Sequence, residues 1–213
     1  MARIEFKWEE PKLDAYDGVN PDDFYTALPD TYKSREKPLL VFLTSGLEED
    51  GQEMKNIEAM LMDENVSIGA TLFKQIKLKG EKFKEGSPYW KAIGGKESPR
   101  MVVFDTTGAR IGSAEGKDCT ASKVFGLMKR AASKTYKVDI ETVVKETKSI
   151  LTEIDQIEAK RKALETRKAN SNTQKETEWA KEAKTLDEQM KAVEAREAAL
   201  HKKWNEDRKV TKA

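Results

Sequence analysis

No glycine follows Gly126 and no proline follows Pro99 in this chain of 213 residues. Glycine and proline disfavour helix interiors by about 1 and 3 kcal/mol relative to alanine. Residues 127–213 are therefore free to form long, unbroken helices, and the apolar pattern uses that freedom. Val143, Thr147, Ile150, Ile154, Ile157, Arg161 and Leu164 recur in steps of four and three. Trp179, Ala183, Leu186, Met190, Val193, Glu197, Leu200 and Trp204 do the same. Such spacing puts each set on one helix face, as in a coiled coil. Between them lies "ANSNTQKE" (169–176), rich in turn formers, with Thr173 and Glu176 in the pattern of a capping box. The reading is two helices, about 138–169 and 174–207, folded back as an antiparallel hairpin with arms of about 45–50 Å at 1.5 Å per residue. Arg161 and Glu197 interrupt the seams. Either they pair across the hairpin or they mark where another chain completes it.

The front half alternates instead. "ARIEFKW" (2–8) has strand periodicity, and "PDDFYTALPDTYKSREK" (21–37) reads as helix broken near Pro29. "PLLVFLTS" (38–45) is a continuous apolar run, the mark of a buried strand. "GQEMKNIEAMLMDEN" (51–65) is an amphipathic helix, "VSIGATLFKQIKL" (66–78) a strand, and "SPYWKAIG" (87–94) a short helix with Pro88 in its first turn. "SPRMVVFDTTGARIGSAEG" (98–116) spells strand, turn, strand, and "DCTASKVFGLMKRAASK" (118–134) a last amphipathic helix. Strands alternating with helices imply an α/β fold with one mixed sheet covered by helices. The expected organisation is an extension at 1–19, an α/β domain at 20–137, and the hairpin with a basic, fraying tail at 138–213.

The order and local residues of 20–134 resemble the thioredoxin fold. "PLLVFLTSG" looks like the strand leading into that family's active-site loop. "ESPRMVVFDTTGARIG" is similar to its proline-preceded strand and glycine-containing hairpin, with Pro99 in the place of the family's usually cis proline. The resemblance puts a Cys-x-x-Cys near 47–52, where this chain reads Leu47, Glu48, Glu49, Asp50, Gly51 and Gln52. Dithiol exchange needs an activated thiolate and a second, resolving thiol. With one cysteine, Cys119, the chain cannot perform it. A redox-inactive member of this superfamily is the expectation, acting as a binding or scaffold protein.

The remaining candidates are few. Cys119 lies near the start of the last domain helix and is the one conceivable nucleophile, which a monothiol oxidoreductase or redox sensor would use. The only histidine, His201, lies far along the chain in the charged hairpin. A metal site and a cofactor are not expected, and no Walker-type or dinucleotide-binding loop is present. The acids Glu48, Glu49 and Asp50 open a helix, where the macrodipole favours them. Leu47, Glu48, Glu49 and Asp50 with Pro99 and Arg100 form the expected partner-binding groove, and Trp179 and Trp204 the contact residues of the hairpin.

With 39 basic and 38 acidic residues the net charge is +1, without the clustered basic excess of a phosphate-binding surface, so nucleic acid is not an expected partner. No apolar run approaches the roughly 20 residues that span a bilayer. The expected partner is a protein, a larger assembly or a second copy through the hairpin. The expected compartment is the cytoplasm, with a mature exported form as the alternative.

Overall fold

The computed structural model describes residues 3–10, 36–44, 52–79, 100–170 and 176–209. Expectations for most of 21–37, for the 45–51 loop and for 87–94 lie outside them. The chain divides into two units: Met1–Val144 with Arg208–Ala213, and Lys145–Asp207.

In the first unit, the apolar run of "PLLVFLTS" becomes strand β1 (Leu39–Thr44). Its buried place explains the absence of alternation. β1 is flanked on one side by β2 (Lys74–Lys79) in parallel, and on the other by β3 (Arg100–Phe104) antiparallel. β4 (Arg110–Glu115) pairs antiparallel with β3, giving the mixed order β2-β1-β3-β4. The expected strand–turn–strand at 98–116 is thus present from Arg100 onward. Asp105 shapes its turn: Oδ1 accepts from Thr107 N–H at 3.0 Å, Thr107 Oγ1 at 2.6 Å and Ala109 N–H at 3.0 Å.

Residues 3–10 form no full strand. Glu9 alone makes a parallel bridge to Ile76, its N–H donating to Gln75 O and its carbonyl accepting from Lys77 N–H, both at 2.9 Å. Phe6 and Trp8 stack on each other at 5.0 Å, and Trp8 leans on Phe42 at 5.8 Å.

Helix α1 (Gln52–Leu61) takes up the first part of the helix expected over 51–65 and ends four residues short of it. The stretch 66–78 does not: its first part is a short helix, α2 (Glu64–Ala70), and only 74–79 is strand. A short apolar run such as "VSIGATLF" suits a buried helix and a buried strand equally. Asp63 decides, because its Oδ1 accepts from Asn65 N–H at 2.9 Å and Val66 N–H at 3.1 Å, an N-cap. α3 (Ala121–Thr135), capped by Thr120, packs on β4, β3 and α2.

The contact of α2 with α3 needs a glycine. A β-carbon at Gly69 would stand 3.0 Å from Met128 Cε, 3.1 Å from Ile140 Cδ1 and 3.3 Å from Phe125 Cε2. Gly69→Val is therefore expected to cost about 1–3 kcal/mol by overpacking. The check is a lower urea midpoint at unchanged slope; an unmoved midpoint would contradict this packing.

The C-terminal return corrects the expectation of a fraying tail. Arg208 bridges antiparallel to Tyr136, and Lys209 N–H donates to Thr135 O at 2.8 Å. Residues 210–213 lie outside the described ones.

The second unit is drawn from two long helices, α4 (Ile140–Ala169), whose first turn belongs to the first unit, and α5 (Glu176–Glu206). Ile150, Ile157 and Leu164 of α4 are buried with Leu186, Met190 and Val193 of α5 in one cluster. Ile154, Trp179, Ala183 and Leu200 pack on it half-buried. Ion pairs join Glu153 to Arg196, Arg161 to Asp187 and Arg167 to Glu182. Arg161 thus pairs with Asp187 rather than with Glu197, whose carboxylate is 3.8 Å from His201 on its own helix. Among the described residues no helix is long and apolar enough to cross a membrane.

Candidate functional site

The first residues of β3 bring two of the sequence candidates together. Arg100 opens the strand next to Pro99, and its side chain is fully buried. Its cross-strand partner is Glu115, whose Oε1 stands 3.7 Å from Arg100 Nε. Ser113 Oγ donates to the same Glu115 oxygen at 2.9 Å, and Arg110 Nη2 donates to Ser113 Oγ at 2.8 Å. Burial pulls the Arg100 guanidinium down to about 10, Glu115 works against this, and Arg110 adds to it. At neutral pH Arg100 is charged, and the Glu115 carboxylate is its nearby counter-charge.

Cys119 lies at the same end of the sheet. It follows the 3-10 turn Gly116–Asp118 and precedes the Thr120 cap of α3. Its side chain is 0% exposed. Burial pushes the thiol up to about 12; the Met101 N–H, which donates to the sulfur, and Lys123 oppose this, and Glu115 reinforces it. A nucleophilic cysteine needs a lowered pKa and access. Cys119 has neither.

The other expected contact residues fall as follows. Leu47, Glu48, Glu49, Asp50 and Pro99 lie outside the described residues. Trp204 is 3% exposed, with His201 against its ring edge at 5.5 Å, and Trp179 is half-buried on the helical cluster. Arg100 and Trp204 are buried within the fold, and a partner would not reach either without rearrangement. Among the described residues no group of three or more His, Cys, Asp or Glu side chains could hold a metal ion.

Sequence reasoning missed Glu115 and Ser113, although the hairpin around "DTTG" places Glu115 opposite Arg100. It also missed a basic depression of about 360 Å³ at the end of α3, lined by Lys129, Arg130, Lys137 and Lys209 with Ser133, Tyr136 and Asp139. Lys129 Nζ is 2.7 Å from Glu141, and Lys209 Nζ donates to the Ser133 carbonyl. Such cations also suit a helix C-terminus, where the backbone carries partial negative charge.

Asp105, 5% exposed, also receives Lys134 Nζ at 3.0 Å. Burial pushes its carboxyl up, but the hydrogen bonds from Thr107, Lys134 and Ala109 outweigh burial and hold it below its ordinary value. Because the folded-state value is lowered, the contribution to stability is complete above the unfolded value of about 4 and is lost as pH falls through the lowered one. Asp105→Ala is expected to cost about 1–3 kcal/mol at pH 7. The loss should shrink below pH 4 in parallel urea titrations of both proteins; a pH-independent difference would contradict the assignment.

Comparison with protein-family models, with curated proteins and with solved structures finds no match for this chain.

Proposed function

We propose that the chain is a redox-inactive, thioredoxin-like binding or scaffold protein. It acts through protein–protein contacts of the degenerate loop at Leu47–Asp50 beside Pro99, and through an antiparallel helical hairpin. The observation that carries this reading is Cys119, the only cysteine of the chain: buried, protonated at neutral pH, and without a second thiol to resolve any mixed disulfide. The same burial gives a monothiol oxidoreductase or sensor no support.

The order of elements supports the fold reading. β1 comes first, α1, α2 and β2 follow, β3 starts directly after Pro99 in sequence, the β3–β4 hairpin comes next, and α3 closes the series. The hairpin reading is supported by the three ion pairs between α4 and α5. From Glu153 to Arg161 to Arg167, the partner on α5 steps back from Arg196 to Asp187 to Glu182.

Met62, 55% exposed, is the large hydrophobic side chain left in the open among the described residues. The hairpin therefore keeps little apolar seam for a third helix, and a partner or larger assembly meets it through charged faces. The test is cross-linking mass spectrometry on the full chain with its native partners, alongside Glu48→Ser, Glu49→Ser and Asp50→Ser combined. The triple variant should lose partner cross-links near the loop while melting as the parent does. Unchanged cross-links would remove the loop from the proposal, and the absence of any partner cross-link to loop or hairpin would end it.

A further inference from the structure

We infer that Arg208 and Lys209 form a releasable clasp that fastens the returning end of the 145–207 excursion to the first unit. The chain leaves that unit through α4 and rejoins it at Arg208. The clasp consists of the Tyr136–Arg208 bridge, the Lys209 N–H on the Thr135 carbonyl, Lys209 Nζ on the Ser133 carbonyl, and Arg208 Nη1 at 2.9 Å from Glu36 Oε2. The anchor is firm: Tyr136 is 3% exposed and its hydroxyl donates to the Leu72 carbonyl at 2.6 Å.

What closes on that anchor is weak. The named clasp contacts are polar, and hydrogen bonds exchanged against water contribute little net stability each. The Glu36 carboxylate is 76% exposed, so its pairing with Arg208 is screened by salt. Arg208 Nε is buried without a hydrogen-bond partner, a standing penalty of the closed state. The strands β1 and β3, by contrast, are buried in the core and paired along their length in the sheet. The clasp therefore opens by local fluctuation while the sheet stays folded, the low-stability end from which mobile regulatory segments are drawn. Closed, the chain returning from Asp207 is held on the first unit at Arg208 and Lys209; open, those two residues are released from it.

The test is amide hydrogen exchange of the full chain. The Lys209 amide should exchange at least about 100-fold faster than those of Val41 and Val102. Glu36→Gln, Arg208→Ala and 0.5 M NaCl should each speed Lys209 a further three- to tenfold or so, leaving Val41 and Val102 unchanged. Exchange of Lys209 in step with Val41 would overturn the clasp, as would variants that accelerate all three amides alike. Glu36→Gln alters an exposed side chain, so the test does not hinge on Arg208→Ala folding.

Discussion

Phe42→Ala is expected to destabilise the first unit by about 3–5 kcal/mol. Phe42 is 1% exposed at the middle of β1, with Lys77 of β2 and Met101 of β3 as its neighbours in register. Its ring meets Trp8 at 5.8 Å, and Lys77 Nζ lies 5.7 Å from the ring centre. Truncation leaves a cavity in a strand bordered on both sides, where collapse is hardest. Against a typical total of about 5–15 kcal/mol, the variant should unfold at a urea midpoint lower by about 1–3 M. Phe42→Leu, which keeps most of the volume, should cost less than about 1.5 kcal/mol. A cost below about 1 kcal/mol for Phe42→Ala would mean that the ring is not a core element.

Ile157→Asp should be as damaging to the second unit. Ile157 is 6% exposed in the cluster shared by α4 and α5. The substitution removes apolar contacts worth about 2–5 kcal/mol. It also asks a carboxylate to be buried or to take up a proton. Helices of this kind owe most of their stability to packing rather than propensity. Loss of helical ellipticity at 222 nm and of amide protection across Ile150–Leu164 is expected. Glu153→Gln, which weakens the exposed pair with Arg196, should cost less than about 1 kcal/mol. Retained ellipticity and protection in Ile157→Asp would show that the cluster does not hold the helices.

The elements legible in the sequence are those whose burial imposes a period. The four-three seams foretold α4 and α5 almost to their ends, because Ile150, Ile157, Leu164, Leu186, Met190 and Val193 must face one another. The run Leu39–Leu43 and the "DTTG" turn likewise foretold β1 and the β3–β4 hairpin. Where a segment is buried all round, periodicity vanishes: α2 carries the apolar run of a strand, and only the Asp63 cap marks it as helix. Single long-range contacts leave no period at all. The Glu9 bridge, the Arg100–Glu115 pair and the docking of Arg208 and Lys209 arise from tertiary placement. For Cys119, its place at the start of a helix is legible in the sequence but its burial, which is what removes its reactivity, is not.

The central claim, that this chain works by contact and not by thiol chemistry, is tested most directly by alkylating Cys119 with iodoacetamide across pH 6–10, native and urea-unfolded. A thiol at about 12 presents roughly one thiolate in 10⁵ at pH 7, against about one in 100 for an ordinary thiol at 9.0. The native rate should be at least about 1,000-fold below the unfolded one and should rise with pH without a plateau. A native rate that levels off with an apparent pKa of 8 or below would contradict the account.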